Sequence, residues 1–333
     1  MLRIQLFIII FFTALLFISC QPSQTTEIEQ GVVVAEKAEL RNSTGLVSAT
    51  IKEIKRGEVV DILERRSANN QDFVHIRIGK DNPVEGWLES HQIIKKDLVD
   101  DCEKLATEWQ DIPTQALGKT KDKLKLRLTP GRDTEVATLL TSGTKLEIVG
   151  RTRVERKDEN DQEKKYDSWY KVRLTDNPVI KAGWIYAESI EITPPDAILA
   201  LPGAGRRFVA WHAFGEFSDP ELNVTQNNYI ILDKYAYSKE TEIDFDRIYV
   251  VAWDLETHGY KSILIQSQVD GLYPLKVESQ PDGYLFTVNL LNKQSKPIAT
   301  RYKIIGDATT NTWKAAKEEA AKPVTKPITK PKK

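Results

Sequence analysis

Part of this chain occurs twice, and that repeat limits what it can fold into more than any other feature. Residues 40–65 align without gaps on residues 126–151. Leu40-Arg41 falls on Leu126-Arg127, Gly45 on Gly131, Gly57 on Gly143, Ile62 on Ile148 and Arg65 on Arg151. After a length difference the match resumes, with Phe73-Val74-His75-Ile76-Arg77-Ile78 against Trp169-Tyr170-Lys171-Val172-Arg173-Leu174. Gly86-Trp87-Leu88 closes the first copy and Gly183-Trp184-Ile185 the second. Such self-similarity means that one structural unit is built twice.

Within each copy apolar and polar residues alternate in short runs, such as Val60-Asp61-Ile62 and Leu146-Glu147-Ile148, between Gly, Pro, Asn and Asp signals. That pattern predicts short strands and a small antiparallel barrel. Gly57 and Gly143 are expected to make tight turns. A barrel this small needs aromatic side chains to fill it, so Trp87, Trp169 and Trp184 are expected in its core, the two that follow glycine as plugs. Tyr170, Tyr186 and His75 flank the core pattern out of phase and are expected to point outward, which makes them the candidates for ligand binding.

The run Leu126-Arg127-Leu128-Thr129-Pro130-Gly131, then Gly143-Thr144-Lys145-Leu146-Glu147-Ile148, Trp169-Tyr170-Lys171-Val172 and Gly183-Trp184-Ile185 resembles the bacterial SH3-like domain. The first copy is a looser match, lacking the Pro-Gly and showing Phe73 for the tryptophan. The resemblance covers residues 31–96 and 117–193. It implies domains that hold cell-wall peptides or protein partners in the envelope, and binding rather than catalysis.

At the amino end Arg3 precedes an apolar run from Leu6 to Ile18, followed by Ser19-Cys20. This is the layout of a secretory signal. Spanning a bilayer as a helix takes about 20 apolar residues, more than this run supplies. Phe17-Ile18-Ser19-Cys20 resembles the lipobox of bacterial lipoproteins, with phenylalanine in place of the usual leucine. That resemblance implies a signal peptide over 1–19, acylation of Cys20, and a membrane-anchored lipoprotein of the cell envelope, on the outer-membrane or periplasmic face or at the cell surface. Residues 20–30 then read as a polar tether.

Residues 97–112 read as a linker helix carrying Cys102, a packed thiol whose acidic surroundings favour the protonated form. The charged stretch 151–166 in the second copy reads as a solvated hairpin extension. From 194 to 307 longer runs rich in Val, Ile, Tyr and Phe predict six strands without a helix, hence an antiparallel sandwich or open barrel, with Asp270-Gly271 as a turn. Gly203-Ala204-Gly205 mimics a dinucleotide fingerprint, but no helical pattern follows, so a turn is expected. Residues 308–333 form a Lys/Pro-rich basic tail whose start, Trp313 to Lys322, favours helix.

The whole chain is thus expected to be all-β, with two SH3-like barrels before a third β domain. Its 47 basic and 48 acidic residues nearly cancel, so no field draws the whole molecule to nucleic acid. Cys20 and Cys102 are the only cysteines, too few for a disulfide framework or a thiolate zinc site. His212 and His258 lack any partner at ligand spacing. No catalytic residue, metal site or cofactor is predicted; the partners expected are the membrane, through the lipid anchor, and peptidoglycan or envelope proteins. A wall hydrolase targeted by the repeats and a host-facing adhesin are the rival readings.

Overall fold

The computed structural model describes residues 28–156, 165–236 and 243–318. The expectations for the leader, Cys20, most of the tether, the middle of the charged insertion and the end of the tail therefore lie outside the described residues. The chain separates into two compact units, residues 1–96 and 97–333.

The first unit holds seven short strands: β1 (Gln30–Val33), β2 (Lys37–Arg41), β3 (Thr50–Lys55), β4 (Val59–Ala68), β5 (Gln71–Ile78), β6 (Val84–Glu89) and β7 (Ile93–Lys95). They form one antiparallel sheet in the order β3-β2-β6-β5-β4-β1-β7. The tether is shorter than expected, because Gln30 already belongs to β1 and Glu29 is paired with Arg65 at 2.9 Å.

The second unit opens on helix α1 (Lys96–Glu108), followed by β8 (Ala116–Thr120), β9 (Leu124–Arg127), β10 (Val136–Leu140), β11 (Lys145–Arg156), β12 (Lys165–Arg173), β13 (Ala182–Tyr186) and β14 (Ile190–Ile192). Their order, β10-β9-β13-β12-β11-β8-β14, is that of the first sheet with every label advanced by seven. The repeat seen in the sequence is therefore a repeat of topology. The charged insertion lengthens the β11–β12 hairpin, which stays in register out to Arg156 opposite Lys165.

Trp87, Trp169 and Trp184 are all buried, as expected, but Trp87 and Trp184 do not plug their sheets. In the first copy the core is made by Val33, Leu40, Ile54, Val74, Ile76 and Leu88. Successive side chains of a strand face opposite ways, so Leu88 goes inside and Trp87 lies on the outer face. Trp184 likewise joins an outer cluster with Trp109 and Trp169, while Ile185 is fully buried. The glycine before each tryptophan has a steric reason. A Cβ on Gly86 would stand 2.7 Å from the Arg41 carbonyl oxygen, and one on Gly183 would stand 2.7 Å from Leu126 Cγ. Strands β2 and β9 cross there too closely for any side chain.

The third region is one sheet. Strands β15 (Arg206–Asp219), β16 (Val224–Tyr235), β17 (Phe245–Asp254), β18 (Gly259–Gln280), β19 (Gly283–Leu291), β20 (Pro297–Asp307) and β21 (Thr312–Lys317) pair in chain order. Their inward residues, among them Phe214, Ile230, Val250, Val269, Phe286, Tyr302 and Trp313, share a single core. The sheet rolls until Trp313 of the last strand meets Phe214 of the first, edge to face at 5.7 Å. It is an open barrel, not a sandwich.

Two expectations fail here. Asp270-Gly271 does not turn the chain, because β18 runs straight through it; Gly271 is needed because the Phe245 ring lies 2.1 Å from where its Cβ would be. Trp313 opens no helix. Residues 312–317 pair with β20, and burial of the indole in the barrel outweighs local helix preference, so the third domain extends past 307. Within the second unit this barrel is joined to the repeat above it. Trp211 N–H donates to the Gln115 carbonyl at 2.9 Å, and Arg151 pairs with Asp244 at 3.0 Å.

Candidate binding surfaces

The outer face of the second copy is built from alternate residues of β12 and β13. Trp169 and Lys171 project there from β12, and Trp184 and Tyr186 from β13. Helix α1 is seated on this face. Trp109 meets Trp184 edge-on at 5.6 Å, and Lys171 Nζ lies 5.1 Å from the Trp109 ring and 5.4 Å from that of Trp184. Arg173 Nη1 donates to the carbonyls of Trp109, Gln110 and Ile112 at 3.1 to 3.2 Å. Carbonyls at a helix end lack partners within the helix, and the guanidinium supplies them. This docking is not legible from residue spacing, since helix and acceptor face lie 60 residues or more apart.

Tyr186 points outward as expected, but it is half-covered. Trp169 packs on it at 5.8 Å and the Arg132 guanidinium lies 5.3 Å over its ring. Arg132 and Arg156 converge on Asp167, at 2.5 and 2.6 Å. Burial pushes the Asp167 carboxyl up, but the hydrogen bonds from the two guanidiniums outweigh it and hold the group below the usual range. Burial, with a hydrogen bond to Glu188, pushes the Tyr186 phenol up. The buried Trp169 Nε1–H finds no acceptor among the described residues.

Tyr170 does not point outward. It shares the phase of the fully buried Val172, and its counterpart in the first copy, Val74, is a core residue. It sits opposite Arg151 in the β11–β12 ladder and close enough to Tyr273 of the barrel to help raise that phenol, whose main perturbation is burial. Tyr170 therefore belongs to the junction of the second copy with the barrel. His75 is on the outer face of the first copy as expected. It stacks on Trp87 with ring centroids 4.7 Å apart, and Arg66 covers the same indole at 4.6 Å.

A cleft of about 680 Å³ opens where the second copy meets residues 199–208. Ile190, Ile192, Leu199 and Phe208 form its apolar walls, and Lys121, Glu188, Arg206 and Arg207 its polar ones. Arg206 is neutralised by Asp233 at 2.6 Å and by Asp246, and Lys121 donates to the Glu188 carbonyl at 2.7 Å. Its size suits a small ligand. None of Tyr170, Tyr186 and His75 lines it.

His258 is not isolated, contrary to expectation. Its Nδ1 lies 2.8 Å from Asp219 and its Nε2 3.2 Å from Glu221, carboxylates of the neighbouring hairpin. Asp219 also accepts from Trp253 Nε1 at 3.0 Å. With both ring nitrogens held by carboxylates, the imidazole has none directed at a nucleophile. Among the described residues no group of His, Cys, Asp or Glu is arranged to hold a metal, and no helix is long and apolar enough to cross a membrane.

No protein-family model and no curated protein matches the chain. Two solved structures from Trichomonas vaginalis align along much of it, each 10% identical. NlpC2 covers 87% of this chain and 96% of its own with a TM-score of 0.16; NlpC1 covers 90% and 94% with 0.17. Likeness of that size carries no inference about fold or activity.

Proposed function

We propose that this is a lipid-anchored protein of the bacterial cell envelope whose two repeated SH3-like modules bind wall peptides or envelope proteins without chemistry. The observation that carries the reading is the pair of sheets with one topology, each bearing an outer face of aromatic rings and cations; the resemblance of Phe17-Ile18-Ser19-Cys20 to a lipobox supports the anchor. Aromatic faces beside guanidinium groups suit peptide contacts, since they combine apolar area with hydrogen-bond donors. The second module's face is filled by α1, so the first module's face and the cleft beside the barrel are the surfaces left to a ligand within their units.

Two experiments test the reading. Cys20→Ser is expected to release the protein from the membrane fraction, and unchanged sedimentation rejects acylation. Purified wall sacculi are expected to retain the chain above a control protein of similar size; equal retention removes wall binding and leaves protein partners.

A further inference from the structure

The turn between β2 and β3 and the turn between β9 and β10 occupy the same place in the repeat, yet their tips are chemically opposite. In the second copy the tip carries Arg132 and Asp133, and Arg132 folds back onto Asp167 and the Tyr186 ring. The aligned residues of the first copy are Leu46 and Val47, which are 88% and 98% exposed. Ile51, on the adjoining edge strand β3, is 46% exposed. A single exposed aliphatic side chain is ordinary, but here two adjacent ones stand clear of the fold at a loop tip, with a third nearby.

The surroundings indicate what covers them. No acidic residue occurs from Leu40 to Lys52, so the turn itself is free of negative charge, and at its base Arg41 and Lys52 adjoin Glu39 and Glu53, with Arg41 3.9 Å from Glu39. Between them Asn42, Ser43 and Thr44 are polar and uncharged. An apolar tip above a neutral polar collar matches two layers of a bilayer interface, acyl boundary and headgroup. Chain length points the same way. About ten residues separate Cys20 from β1, a reach of at most about 33 Å. For an anchored chain the contact is intramolecular, and a high effective concentration makes even two inserted side chains count.

We infer that Leu46 and Val47 insert into the interface of the bilayer to which Cys20 holds the chain. The inference rests on the lipid-anchor reading above. The test uses the full chain purified from membranes and reconstituted into phosphatidylethanolamine–phosphatidylglycerol vesicles. An environment-sensitive nitrobenzoxadiazole is placed at Val47→Cys or, as a control, at the aligned Asp133→Cys. Cys102 is fully buried and stays unlabelled. The label at 47 is expected to be blue-shifted and quenched by shallow doxyl lipids, and the label at 133 is not. Leu46→Asp beside the label at 47 is expected to lower the inserted fraction about tenfold. Equal behaviour at 47 and 133 overturns the inference. So does a blue shift without vesicles that grows with protein concentration, which would mean a second copy covers the tip. Intact mass separates the two levels. An acylated Cys20 with an unquenched tip overturns the tip alone, and an unmodified Cys20 overturns the anchor together with the intramolecular argument.

Discussion

The side chain of Gln115 and the backbone of Leu275 exchange two hydrogen bonds. Leu275 N–H donates to Gln115 Oε1 at 2.6 Å, and Gln115 Nε2 donates to the Leu275 carbonyl at 3.1 Å. A primary amide offers the donor and acceptor of a peptide unit, so the glutamine imitates one step of a strand ladder between the second repeat and the barrel. Its own carbonyl receives Trp211 N–H, and its own N–H donates to Ile148 at 2.8 Å. One residue at 1% exposure thus ties β11, β15 and β18 together.

Gln115→Ala is expected to destabilise the second unit by about 2–6 kcal/mol, because a buried N–H and a buried carbonyl each lose a partner at about 1–3 kcal/mol. Urea unfolding followed by tryptophan fluorescence checks this. A midpoint unchanged from the parent chain refutes the bridging role.

Helix α1 should come loose when its aromatic anchor is removed. Trp109→Ala is expected to cost about 3–5 kcal/mol, the usual range for a buried aromatic, and to expose Trp184. Acrylamide quenching of the remaining tryptophans is the measurement, and quenching equal to the parent counts against the docking.

The hydrogen bond to Asp219 holds the His258 imidazolium above the ordinary histidine range, and the same bond, with Trp253, holds the Asp219 carboxyl well below its own. His258 binds its proton more tightly folded than unfolded. Its contribution to stability is therefore full below about pH 6.5 and lost as pH rises through the elevated folded value. Asp219 acts at the other end, its contribution present above about pH 4 and lost as pH falls through the depressed value. An NMR titration of His258 should show a midpoint above 6.5 that Asp219→Asn brings down; a midpoint unaffected by that substitution rejects the pairing.

Burial, with a smaller push from Asp101, raises the Cys102 thiol to about 12. At pH 8 almost no thiolate forms, so a disulfide reagent is expected to leave Cys102 untouched in the folded chain and to titrate it fully in urea. Rapid labelling of the native protein at this position would refute the packing around it.

Sequence alone determined the repeat, the strand-rich character of the third domain and the turns at Gly57 and Gly143, where φ is +86° and +78°. These follow from spacing and local backbone preference, which a one-dimensional string records. The phase of an aromatic residue was less legible. Trp87 and Trp184 read as plugs because a small barrel needs volume, yet the pleat sends Leu88 and Ile185 inward instead. His75 and Tyr186 came out on the predicted side; Tyr170, in phase with the buried Val172, did not.

Tertiary structure decided what lies across the fold. The seating of Trp109 on Trp184, the Arg132–Asp167–Arg156 cluster, the His258–Asp219 pair and the Gln115 bridge all join residues from separate elements. Their partners are chosen by how the sheets roll and which strands become neighbours. The strand at Thr312–Lys317 makes the same point, since its helix-favouring composition yields to one indole that the barrel must bury. Local signals set where strands start and stop. Packing sets which side chains meet, because burial and hydrogen-bond satisfaction are properties of the closed fold.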